Sequence, residues 1–140
     1  MGTFVQIRVF IDEPESSRSP AKDEVVTGLI ERAFAEIRRL EGLMTTWRDD
    51  SEISRINAAA GQSAVPVSPE VMEVIERSLA FSRMSAGAFD ISFYALKGLW
   101  RFDDDLTPAL PDPAEIRRRL PLINWRLIQV DRPSHSVRLG

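Results

Sequence analysis

Gly87-Ala88-Phe89-Asp90 sets two small residues beside an aromatic ring and a carboxylate, a combination that lets a flat ligand come close to main chain. Gly87 closes an apolar-periodic stretch, where a glycine supplies the left-handed residue that ends a helix and releases an extended loop. The same residues also read as a plain helix stop followed by a buried Phe89. Trp47 offers a second large π-face, suited either to stacking on a ligand or to packing under the helix that follows it. Asp49, Asp50 and Glu52 crowd carboxylates ahead of that helix, a placement that complements the positive end of its dipole and argues against a metal site. His135, the only histidine, lies between Ser134 and Ser136 with no partner residues, as expected of a solvent-exposed turn. There is no cysteine, which excludes disulfides, thiol nucleophiles and zinc thiolates.

The elements that must position these residues follow from periodicity. Phe4 to Ile11 alternates and is rich in β-branched and aromatic residues, which predicts a first strand with one buried face. Asp12 to Pro20 reads as a loop. From Lys22 to Leu43, Val25, Val26, Leu29, Ile30, Ala33, Phe34, Ile37 and Leu40 recur every three to four residues, predicting a long amphipathic helix whose stripe packs on the sheet. Ser51 is the expected N-cap of a short helix through Ile56. Gly61 to Pro66 reads as a turn, and Ser68-Pro69-Glu70 starts a helix running to about Met84. Asp112-Pro113-Ala114-Glu115 has the spacing of a capping box, before a helix that stops ahead of Pro121. Trp125 to Val130 and Ser136 to Leu139 read as two strands joined by Asp131-Arg132-Pro133-Ser134. Strand, long helix, further helices and hairpin in that order predict an α+β fold.

The 140 residues, 44% hydrophobic and 28% charged, fit a single soluble globular domain spanning 1–140. A net charge of -3 gives no electrostatic reason to expect nucleic acid or an anionic membrane as partner. Arg38-Arg39 and Arg117-Arg118-Arg119 are read as solvated helix faces. No apolar stretch approaches the roughly 20 residues needed to cross a bilayer, so no transmembrane segment is expected.

Four segments together are similar to the signatures of the ApbE family, the flavin transferases that take FMN from FAD and attach it to other proteins. They are Met1-Gly2-Thr3, the stretch from Met44 through Trp47 and Ser51 to Asn57, Gly87-Ala88-Phe89-Asp90-Ile91-Ser92, and Gly98-Leu99-Trp100-Arg101-Phe102. The resemblance implies that Ala88, Phe89 and Asp90 contact FAD, that Met1 lies near the flavin, and that Trp47 stands where relatives place a flavin-packing tyrosine. It also implies that Leu99, Trp100 and Phe102 are core. After Asp90, relatives commonly continue with Pro-Thr or Ile-Thr and a Val-Gly-Pro-Leu turn. Here Ile91-Ser92-Phe93-Tyr94-Ala95-Leu96 puts bulk in place of glycine and proline.

Relatives continue past the equivalent of Gly140 with an Asp-Leu-Gly-Gly-Ile-Ala-Lys-Gly segment, a His-x-x-Asp-Pro-x-Thr-Gly segment, and an Asp and Thr pair that binds Mg²⁺. The resemblance therefore implies an incomplete domain, the N-terminal half of an FAD:protein FMN transferase. Neither catalytic residues nor metal ligands are then expected in this chain. Its substrate would be FAD, its metal a Mg²⁺ held elsewhere, and its partner an acceptor flavoprotein bearing a Ser or Thr flavinylation site. The alternative is a non-catalytic flavin-binding or interaction module of the same fold. An unpaired hairpin edge would favour self-association. The chain as written carries no leader and reads as cytoplasmic, or as periplasmic or membrane-anchored if a leader has been removed.

Overall fold

A computed structural model describes residues 4–11, 19–100 and 110–140. Internal contacts divide the chain into a first unit, Met1–Ser54, and a second, Arg55–Gly140.

The first unit is dominated by α1, Pro20–Met44. Ser19 caps it, its side chain accepting from the Lys22 N–H, and Pro20 takes the first helical position, where a missing N–H costs nothing. The helix thus starts inside the stretch read as a loop, on a cap-proline pair like the two recognised further on. No residue of α1 is buried; Val26, Ile30, Phe34, Ile37 and Leu40 are half-buried while Val25 and Leu29 are exposed. The expected stripe is present, but burial requires a covering layer, and here the cover is partial.

The predicted first strand is absent. Residues 4–11 carry no strand, and Phe4 and Phe10 are almost fully exposed. Alternating β-formers supply propensity, whereas a strand exists only through its ladder, and this segment has no ladder among the described residues.

A short helix, α2 (Glu52–Ala58), crosses the division between the units. Its expected cap is in place: the Ser51 hydroxyl accepts from the Ser54 N–H at 3.0 Å and donates to the Thr45 carbonyl.

The second unit holds the core. Three strands, β1 (Val65–Pro66), β2 (Ile128–Asp131) and β3 (Ser136–Leu139), form an antiparallel sheet in the order β1-β3-β2. Val137 at its centre faces Val65 on one side and Val130 on the other. β1 lies in the stretch read as a turn. Pro66 is tolerated there because β1 is an edge strand, and the Gly61 and Val67 N–H groups extend the pairing to the carbonyls of Leu139 and His135. Helix α3 (Pro69–Met84), capped by Ser68 as expected, buries Val71, Met72, Ile75, Leu79 and Ser82 along one face. The buried Ser82 hydroxyl is satisfied by the Ser78 carbonyl at 3.0 Å. With Ile56, Val65, Val67, Ile128 and Val137 that face makes the core.

Helix α4 (Pro113–Arg119) begins at its predicted cap, Asp112 Oδ1 accepting from the Ala114 N–H at 2.9 Å. Trp125–Leu127, expected as the start of a strand, is instead a 3-10 turn capped by Asn124. Leu99 is half-buried and Trp100 exposed, so neither belongs to the core, and Phe102 lies outside the described residues. The helix-rich elements around one small sheet make the fold α+β.

Candidate functional site

The last turn of α3 and the loop behind it are shaped by two consecutive left-handed residues, Ala86 (φ 53°) and Gly87 (φ 89°). The Gly87 N–H returns to the Ser82 carbonyl at 2.8 Å, closing the helix as its sequence predicted. A Cβ on Gly87 would meet Trp125 Nε1 at 3.5 Å, so the bare glycine Cα packs against an indole edge.

Phe89 is 46% exposed, which rules out the buried-Phe reading of this loop. Its ring meets Phe81 edge-on, centroids 6.4 Å apart, so two aromatic rings from α3 and the loop form one apolar surface. Ala88 beside it is exposed.

Asp90 is half-buried and heavily used. Its Oδ1 accepts from the Ser92 N–H (2.9 Å) and the Ser92 hydroxyl (2.6 Å), and its Oδ2 accepts from the Trp125 N–H (2.9 Å). It caps the 3-10 helix Ile91–Leu96 and at the same time ties the loop to residue 125, 35 positions later. The Ser92 hydroxyl in turn accepts from the Asn124 N–H at 2.8 Å. Trp125 is flanked by the guanidinium groups of Arg126 (4.4 Å from the ring centre) and Arg83 (5.9 Å). Its indole N–H is buried and has no partner among the described residues.

Ala88, Phe89 and Asp90 are therefore brought together on one loop. Trp47 belongs to the first unit, in the turn after α1, and is 82% exposed, so it does not pack under the following helix. Met1 lies outside the described residues. Asp50 is engaged by Arg48 through two contacts, at 2.9 and 2.6 Å, and this guanidinium hydrogen bond holds its carboxyl below the usual carboxylate range. Among the described residues no three His, Cys, Asp or Glu side chains converge as a metal site. His135 is exposed in its turn, at φ 46°.

Sequence reasoning missed Phe81, Ser92, Asn124 and Trp125. Ser92 and Asn124 had a legible signal: Asp90-x-Ser92 and Asn124 are both capping patterns that precede a short helix. Arg119 was also misread as solvated. It pairs with Glu115 and donates to the carbonyls of Ala95 (3.3 Å) and Lys97 (3.0 Å), fastening α4 to the end of the 3-10 helix.

The α+β unit thus places an aromatic pair and a structured carboxylate at the end of one helix. The chain matches the ApbE family over residues 1–140 and belongs to it. It is 30% identical over 130 residues to the FAD:protein FMN transferase of Treponema pallidum, covering 93% of this chain and 33% of that protein. A FAD:protein FMN transferase of Klebsiella pneumoniae is 36% identical over 109 residues, 78% of this chain and 34% of that protein. The apo flavinyl transferase ApbE of Pseudomonas stutzeri shares the fold at a TM-score of 0.68 and 26% identity, covering 83% of this chain and 36% of that one. The ApbE protein of Thermotoga maritima superposes at a TM-score of 0.71 with 22% identity, covering 81% of this chain and 37% of that one. The chain thus spans about a third of the length of the curated relatives it matches.

Proposed function

We propose that this chain supplies flavin-binding surface to an FAD:protein FMN transferase, with FAD as the FMN donor. The observation that carries the reading is the Gly87–Asp90 loop: an exposed Phe89 set edge-on to Phe81 and held in place through Asp90. An isoalloxazine ring is flat, and an exposed aromatic face gives it a surface to stack on. Family membership and relatives named for that activity support the assignment.

In the proposed reaction a Ser or Thr hydroxyl oxygen of an acceptor flavoprotein bonds to the FMN phosphorus. The pyrophosphate P–O bond breaks, AMP leaves, and the hydroxyl proton passes to a base. Charge on the pyrophosphate calls for a cation such as Mg²⁺. The described residues bring no such donor set together. What these residues do is bind and orient the flavin. We assign the whole of 1–140 to one ApbE-like domain. Self-association is part of the same proposal, supported by β2, which lies at an edge of the sheet.

The test is to incubate the protein that carries this chain with FAD, Mg²⁺ and a flavoprotein acceptor, and to weigh the acceptor. A mass gain equal to FMN on a Ser or Thr, matched by released AMP and lost with Asp90→Ala, is the expected result. Acceptor unmodified by wild-type protein, or modified equally by the variant, contradicts the proposal.

A further inference from the structure

We propose that Ser92 is a positioning residue for flavin binding, acting through Asp90 and the backbone of residues 124 and 125 without touching the ligand; the inference rests on the flavin reading of the Gly87–Asp90 loop. One hydroxyl serves two partners. It donates to Asp90 Oδ1 at 2.6 Å and accepts from the Asn124 N–H at 2.8 Å, while Asp90 Oδ2 takes the next N–H, that of Trp125, at 2.9 Å. Two consecutive backbone donors are thus held by the Ser92–Asp90 pair. That clasp fixes where Trp125 begins, and the Trp125 indole is what backs the Gly87 turn, 3.5 Å from the place a Cβ would occupy.

Phe89 lies between these two anchors. On one side Gly87 rests on the indole, and on the other Asp90 is bonded to the Trp125 N–H. With Gly87 and Asp90 held, the ring is presented at the surface against Phe81 in one setting, so that a ligand does not have to order it on binding. The Ser92 hydroxyl is the one group in the clasp that donates and accepts at once. Alanine at 92 would leave the Asn124 N–H with only its 3.1 Å bond to the Leu122 carbonyl and Asp90 short of a donor.

The experiment pairs FAD titration of the whole chain with amide hydrogen exchange at Asn124 and Trp125, for wild type, Ser92→Ala and Ser92→Thr. Wild type is expected to bind FAD and to protect both amides. Ser92→Ala should weaken FAD roughly tenfold and speed exchange at Asn124 severalfold, through the loss of about one part-buried hydrogen bond while the Leu122 carbonyl still accepts. Ser92→Thr, which keeps the hydroxyl, should restore both to within about twofold. Unprotected amides in wild type overturn the clasp. Ser92→Ala with lost protection and unchanged FAD affinity overturns the positioning role and leaves the flavin reading standing. A folded Ser92→Thr that binds tenfold more weakly also overturns it, even if Ser92→Ala fails to fold. Protected amides in a wild-type chain that binds no FAD overturn this inference together with the flavin reading.

Discussion

The carboxylate of Asp90 accepts the backbone N–H of Trp125 at 2.9 Å, joining the loop after α3 to the segment that leads into the β2–β3 hairpin. That bond makes Asp90 a fold-holding residue in its own right, because its two oxygens take three donors between them.

Asp90→Ala should therefore lower stability even without ligand. It strips the Ser92 and Trp125 N–H groups of a charged acceptor in a half-buried place, which costs about 1.5–3 kcal/mol. Denaturant unfolding monitored in the second unit checks this; a loss below about 0.5 kcal/mol would mean that water replaces the carboxylate freely.

Gly87 and Gly28 make opposite predictions. At Gly87 a methyl group has room, 3.5 Å from Trp125 Nε1, but the φ of 89° is left-handed, so Gly87→Ala should cost about 1–2 kcal/mol through backbone alone. Gly28 lies inside α1 with nothing within 4 Å, and Gly28→Ala should strengthen that helix by roughly 0.5–1 kcal/mol. Helical content and unfolding midpoints of the two variants decide it.

Glu115 gives the chain an acid-sensitive fastening. Hydrogen bonds from Arg118 and Arg119 pull its carboxyl down from 4.5 to about 2. The folded value lies below the unfolded one, so the contribution is complete above pH 4.5 and disappears as pH falls towards 2. Arg119 also holds the Ala95 and Lys97 carbonyls, so protonating Glu115 should loosen α4 from the 3-10 helix. Stability of wild type should fall across that window more steeply than that of Glu115→Gln; parallel curves would contradict the coupling.

What was legible in the sequence was what local chemistry decides. The caps Ser51, Ser68 and Asp112 act on their own following turns, and each starts a helix where expected. Gly87 ends α3 for the same kind of local reason. What failed needed a partner. Residues 4–11 have strand propensity without a ladder, and β1 forms from two unpromising residues because β3 lies beside them. Trp125 was read as strand because its role, backing Gly87 and donating to Asp90, depends on contacts more than 30 positions away. The Gly87–Asp90 loop was visible, and the clasp that holds it was not, because only its capping halves show locally.

Titration of FAD into this chain by calorimetry, with Phe89→Ala and Asp90→Ala alongside, tests the central claim most directly. Saturable binding by wild type, weakened in both variants while α3 remains folded, is the predicted result. No saturable heat from wild type, or equal affinity in all three proteins, would contradict a flavin site at the Gly87–Asp90 loop.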